Sequence, residues 1–192
     1  MEALLISTGV VALAEIGDKT QLLAFILAAR FKKPLPIIAG ILCATVVNHG
    51  LAGALGAWIT SAISGETLRW VLGASFIAMA IWTLIPDKIE DEETQVAKHL
   101  GVFGATLITF FLAEMGDKTQ IATVAMAAKF PNPVVVVIGT TLGMLIADVP
   151  AVLVGDRFAA KIPMKLVHSI AAGIFAILGL ATLLGAGKSL GF

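Results

Sequence analysis

Leu13–Gln21 reads LAEIGDKTQ, and Leu112–Gln120 reads LAEMGDKTQ. Eight of the nine positions are identical, at a constant offset of 99 residues. The register continues without a gap. Ala28, Ala29, Arg30 and Phe31 align with Ala127, Ala128, Lys129 and Phe130, Pro34 with Pro133, Gly40 with Gly139, and Gly56 with Gly155. The chain is therefore a duplication, and self-similarity at a fixed period sets the architecture before any single helix is considered.

The sequence around the motifs is apolar. Of 192 residues 58% are hydrophobic and 14% charged, with a mean hydropathy of +0.98; a soluble domain carries about 25% charged residues. A soluble protein of this length could not hide that much apolar surface in one core. This excludes a soluble enzyme or a nucleic-acid binder and makes the lipid bilayer the solvent. Thirteen basic and thirteen acidic residues cancel, so no polybasic patch marks a polyanionic partner. The single Cys43, inside an apolar run, offers neither a disulfide nor a thiolate cluster.

Six apolar stretches approach the roughly 20 residues a membrane helix needs: Leu4–Ala29, Leu35–Ile59, Leu68–Ile85, Val102–Ala128, Val134–Val154 and Leu166–Ala186. The alternation of a membrane barrel is missing, and the start of the chain lacks a cleavable signal pattern. The fold class is thus an all-α polytopic membrane protein of six transmembrane helices. Residues 1–86 form a first three-helix repeat, 87–99 an acidic linker, and 100–192 a second repeat. Because three is odd, the second repeat enters the membrane from the opposite side. That is an inverted-topology plan, with a site expected at the midplane between the halves.

Orientation follows from the basic residues. Arg30, Lys32, Lys33, Lys88, Lys98, Arg157, Lys161 and Lys165 lie in the odd connections, against Arg69, Lys129 and Lys188 elsewhere. The odd connections, including the acidic linker, are expected in the cytoplasm and both termini outside. The linker reads as a solvated joint or as a loose cation collector. Trp58, Trp70 and Trp82 suit interfacial anchoring or plain lipid contact.

Each motif sets a Glu, an Asp and a Lys inside an apolar span, where unpaired charges cost several kcal/mol and the default reading is functional. On a continuous helix Glu15, Asp18 and Gln21 share one face, as do Glu114, Asp117 and Gln120. Gly17 and Gly116 permit close approach or local unwinding. Lys19 and Lys118 lie four residues after Glu15 and Glu114, the spacing of an ion pair within one helix. The facing motifs would offer four carboxylates, two carboxamides and the hydroxyls of Thr20 and Thr119. This all-oxygen set suits Ca²⁺, Mn²⁺ or Mg²⁺. The two motifs together carry a formal charge of −2, matching one divalent cation. Crowded carboxylates repel, so protons would replace a departing metal, which couples the two.

Asn48 and His49 interrupt the second span, and the repeat register makes Asp148 the counterpart of His49. Pro150 cannot donate to the carbonyl of Ile146, so Asp148 reads as part of a cation path or proton relay. Asn48 and His49 fit that path or a hydrogen-bonded packing contact equally well. Cys43, Met126 and Met144 read as packing residues, and His168 as interfacial. A metal-gated channel would show flux without proton coupling. No catalytic triad or HExxH motif supports an intramembrane enzyme, so the chain is expected not to be one.

In LAEIGDKTQ and LAEMGDKTQ, and across both motifs, the six spans and the central acidic stretch, the chain resembles the Glu-x-Gly-Asp-Lys-Thr family of cation/proton exchangers. The resemblance implies export of Mn²⁺ from the cytosol in exchange for protons, with Ca²⁺/H⁺ antiport by the same architecture as the alternative. It implies Glu15, Asp18, Glu114 and Asp117 as the motif acids. Gln21 and Gln120 are expected to complete the metal shell, with Lys19, Thr20, Asn48, His49, Lys118, Thr119 and Asp148 as auxiliary or proton-path residues. The short chain is similar to prokaryotic members, which implies a bacterial inner membrane. No cofactor is expected beyond the transported cation and protons, and the partner is the bilayer; a homo-oligomer is compatible with this reading.

Overall fold

The computed structural model describes residues 1–85, 100–154 and 164–185. The acidic linker at 87–99, with Arg157, Lys161 and Lys188, lies outside the described residues. Among the described residues there are eight helices and no strand. They are α1 (Glu2–Glu15), α2 (Lys19–Phe31), α3 (Pro34–Ala62), α4 (Gly65–Thr83), α5 (Val102–Glu114), α6 (Lys118–Lys129), α7 (Pro133–Val154) and α8 (Met164–Leu183).

Six continuous helices are not what the chain forms. The stretches Leu4–Ala29 and Val102–Ala128 each break at the motif, giving α1 with α2 and α5 with α6. The local cause is the same in both. Gly17 and Gly116 take φ of 88° and 76°, a left-handed conformation that a residue bearing a Cβ enters only at a cost of about 1–2 kcal/mol. Asp18 and Asp117 are extended and stand as N-caps of the helices that follow. The Asp117 side chain accepts from the Thr119 amide at 3.4 Å. An acid that caps a new helix start and a glycine free to turn outweigh propagation of the old helix. By contrast α7 runs through Pro150 without a break.

The halves interlock. α1 packs on α7 and α3 on α5; α3 packs on α6 and α2 on α7; α4 packs on α8. The first two contacts are copies of each other. Gly40 lies against Thr106 and Phe103, and Gly139 against Ser7 and Leu4, so closely that a Cβ at either would collide. Chain directions follow from such contacts. Gly139 meets Ser7 while Gly143 meets Thr8 and Ala12, so α1 and α7 run the same way. Gly53 lies against Pro133 and Val137, and the Thr60 hydroxyl donates to Ala128 O at 3.0 Å. One end of the bundle therefore gathers Ala62, Gly65, Lys129, Pro133 and Leu183. The other gathers Phe31, Pro34, Val102 and Val154.

Two apolar clusters flank the breaks. One draws Val10, Phe76, Met126, Met144 and Phe175 from α1, α4, α6, α7 and α8. The other draws Leu23, Ile37, Phe110 and Val152 from α2, α3, α5 and α7. Met126 and Met144 are packing residues as expected, whereas Cys43 is exposed.

Many large aliphatic residues lie on the surface. Val134, Ile138, Leu142 and Ile146 form an exposed stripe at four-residue spacing on α7, and Leu42, Val46, Leu51 and Leu55 are exposed on α3. Meanwhile Glu15, Asp18, Glu114, Asp117, Lys118 and Asp148 are at most 4% exposed. Charges inside and aliphatic residues outside reverse the pattern of a water-soluble protein. α3 and α7 are each long and apolar enough to cross a membrane; α5 and His168–Leu183 are shorter apolar helices.

Candidate cation site

Because the helices end at Glu15 and Glu114, the acids of one motif do not share a helix face. They are the last residue of one helix and the cap of the next. The arrangement that results joins the two motifs. Glu15, Glu114 and Asp117 bring carboxylate oxygens within 4.8 Å of one another, all three side chains buried. A cation bonded to oxygens at about 2.1–2.6 Å needs opposing ligands about 4–5 Å apart, so this cluster has the dimension of a Ca²⁺ or Mn²⁺ shell. Asp18 stands outside that triplet.

Among the described residues, ion pairs of the two lysines run between the motifs. Lys19 Nζ lies 3.5 Å from Asp117, and Lys118 Nζ 4.0 Å from Asp18. The helix break removes the geometry on which the four-residue pairing depended, and each lysine reaches the aspartate of the other motif instead. Lys118 Nζ also donates to Ile85 O at 2.9 Å.

The threonines and glutamines hold the breaks in shape. Thr20 Oγ1 donates to Glu15 Oε2 at 2.6 Å, and Thr119 Oγ1 to Glu114 Oε2 at 3.1 Å. Each glutamate keeps its Oε1 buried with no hydrogen-bond partner. A buried carboxylate oxygen in that condition is costly, and a cation or a proton relieves it. Gln21 Oε1 accepts from the Gly17 amide at 2.9 Å, and Gln120 Oε1 from the Gly116 amide at 2.7 Å. Their Nε2 atoms donate across the halves, Gln21 to Ala147 O at 2.9 Å and Gln120 to Asn48 Oδ1 at 3.3 Å. Both carboxamides thus brace the breaks with oxygen and nitrogen, and each carbonyl oxygen keeps a second lone pair with which it can face a cation.

Asn48 Nδ2 also donates to Phe111 O at 3.1 Å, which makes Asn48 a tie between halves. His49 and Asp148 are fully buried, and neither ring nitrogen nor carboxylate oxygen has a hydrogen-bond partner. His168, expected to be interfacial, is half-buried near the start of α8. Its Nε2 lies 2.9 Å from Ile16 O, inside the first break. Nothing in the local sequence signals this contact, because it joins residues 152 positions apart.

The chain matches the family model "Divalent cation/proton antiporter GDT1" over residues 3–91 and 102–189. It is 51% identical over 183 residues to the "Putative manganese exporter" of Vibrio cholerae serotype O1, covering 95% of this chain and 90% of that protein. GDT1-like protein 5 of Arabidopsis thaliana is 29% identical over 90% of this chain and 91% of its own length. GDT1-like protein 4 of Oryza sativa subsp. indica is 31% identical over 91% of this chain and 70% of its own. No solved structure matches significantly. Helical fold, buried charges and relatives together define a membrane cation transporter, a class of carriers and not of enzymes. Within that class, this chain belongs to the GDT1 family of divalent cation/proton antiporters.

Proposed function

We propose that this protein exports Mn²⁺ from the cytosol of a bacterium across the inner membrane in exchange for protons. The observation that carries the proposal is the joint cluster of Glu15, Glu114 and Asp117, in which two buried glutamate oxygens await a positive charge. The cation is the substrate, bound by carboxylates of both halves, with Asp18 as the fourth acid. Protons and metal compete for the same oxygens, so loading one releases the other. Asp148 and His49, buried beside this layer of the fold, are suited to passing the proton. Lys19 and Lys118 offset part of the acidic charge, leaving a deficit that one divalent ion fills.

The membrane arrangement belongs to the same proposal. Counting α1 with α2 and α5 with α6 as single crossings gives six spans. Residues 1–86 and 100–192 then form two oppositely oriented three-helix units joined by a cytoplasmic linker at 87–99, with both termini outside. Support comes from the parallel course of α1 with α7 and of α3 with α5, where Gly40 meets Phe103 and Thr106 and Asn48 reaches Phe111, and from the start of α7 lying against Gly53 in the second half of α3. Manganese is chosen on the name of the Vibrio cholerae relative; the all-oxygen donors alone accommodate Ca²⁺ as well.

The test is transport by purified protein in sealed vesicles. Mn²⁺, Ca²⁺ and Mg²⁺ are offered separately with and without an imposed pH gradient. Mn²⁺ movement driven by the gradient, with matching proton counterflow, is the expected result. Mn²⁺ flux indifferent to the gradient would refute exchange and indicate a channel, and preference for Ca²⁺ would select the calcium antiporter.

A further inference from the structure

Residues 99 apart do not make equivalent contacts everywhere. In the half of the bundle toward Lys129, α4 packs against α6 and α8 against α1. Their repeat counterparts, α8 against α2 and α4 against α5, at most graze. The pair α4 and α8, stacked through Phe76 and Phe175 with ring centroids 6.5 Å apart, is itself a repeat pair. It therefore leans toward one end of the molecule.

Side chains follow the same asymmetry. Lys129 Nζ, at the end of α6, donates to Thr182 Oγ1 on α8 at 2.5 Å. The counterparts are Arg30, at the end of α2, and Thr83 on α4. They are not joined. Arg30 is exposed, with its guanidinium over its own neighbour Phe31, and the Thr83 hydroxyl donates to Met79 O at 2.8 Å. Thr182 makes the matching bond to Leu178 O at 2.6 Å and still accepts from Lys129, so Thr83 has the same lone pair to offer Arg30. His168 docks on Ile16 O in the first break, whereas its counterpart Arg69 lines a recess of about 720 Å³ with Lys129 and Thr182. Asp117 belongs to the carboxylate cluster and its counterpart Asp18 does not.

We infer that Lys129–Thr182 and Arg30–Thr83 are alternate latches, one for each end of the protein, and that this structure has the Lys129 latch shut and the Arg30 latch open. Interchanging the roles of the two repeats generates the opposite state from the same sequence. Arg30 then bonds Thr83, Lys129 releases Thr182, and α4 and α8 close against α5 and α2. Glu15 and Glu114 stay in the cluster in both states, while Asp18 takes the place of Asp117. The cation would then be passed between aspartates without leaving the glutamates. Both states use chemically matched contacts, so neither is favoured by a large margin, as exchange in both directions requires. This inference rests on the transport reading above.

Cysteine pairs test it in a C43S background. One variant carries K129C and T182C, a second R30C and T83C, and a third all four substitutions, each in vesicles and treated with a short bis-methanethiosulfonate, which joins two thiols through reducible disulfides with loss of methanesulfinate. Each pair is expected to cross-link alone, with loss of transport that a reductant restores. In the four-cysteine variant, molecules carrying both cross-links should be near background, because the latches exclude each other. Accumulation of doubly linked molecules would overturn the inference, as would a R30C/T83C protein that transports but never cross-links. The readout is independent of the ion carried. Alternating cross-links in a protein that moves no Mn²⁺ would refute the proposed substrate and keep the latches.

Discussion

At the residue scale, Thr20 and Thr119 show how little the motif leaves unused. Each hydroxyl fixes one oxygen of a buried glutamate, while the other has no hydrogen-bond partner. A hydrogen bond to a charged group contributes about 1.5–3 kcal/mol. T20V and T119V are therefore each expected to weaken Mn²⁺ binding about tenfold or more, measured by titration calorimetry on the purified protein, with the fold retained by circular dichroism. D117N, which removes a carboxylate from the cluster, should abolish efflux while the protein still inserts. Retained manganese resistance of cells expressing D117N would exclude the site as described. The residue types were legible in the sequence, and so was their chemistry. Their partners were not, since the crossed pairs of Lys19 with Asp117 and Lys118 with Asp18 join residues about a hundred positions apart.

At the scale of elements, the helix breaks are the central event. Gly17 and Gly116 were legible as points where a helix could unwind, but a periodicity argument carries a helix through them because the flanking residues are good helix formers. The left-handed glycine and the aspartate cap settle the competition. G116A should strain this turn by about 1–2 kcal/mol, visible as a lowered melting temperature and reduced transport. Q120L should act differently. It leaves the Gly116 amide and the Asn48 oxygen without their partner, so transport should fall with little change in the helical content measured by circular dichroism.

At the scale of the whole molecule, lipid and protein exchange their usual places as solvent and core. The exposed belt on α3 and α7 is aliphatic. V47D, at an exposed position near the middle of α3, should cost about 3 kcal/mol of insertion free energy. It should reduce the membrane-inserted fraction in a cell-free translocation assay, whereas unchanged insertion would place that surface away from lipid. A bulky residue at Gly139, as in G139L, should separate α1 from α7 and lower the thermal stability of the detergent-purified protein, since Ser7 and Leu4 already fill the space.

Composition and the 99-residue repeat were enough to determine an all-helical chain suited to lipid, two copies of one acidic motif, and oxygen donors of the hard kind. Those properties are local or additive: hydropathy sums along a segment, and donor chemistry belongs to a side chain wherever it lies. Tertiary structure alone decided which acid meets which lysine, which three carboxylates converge, and which end of the bundle is latched. Such choices depend on packing between distant segments. Two nearly identical motifs have almost equal claims on every partner, and their local sequence cannot break the tie.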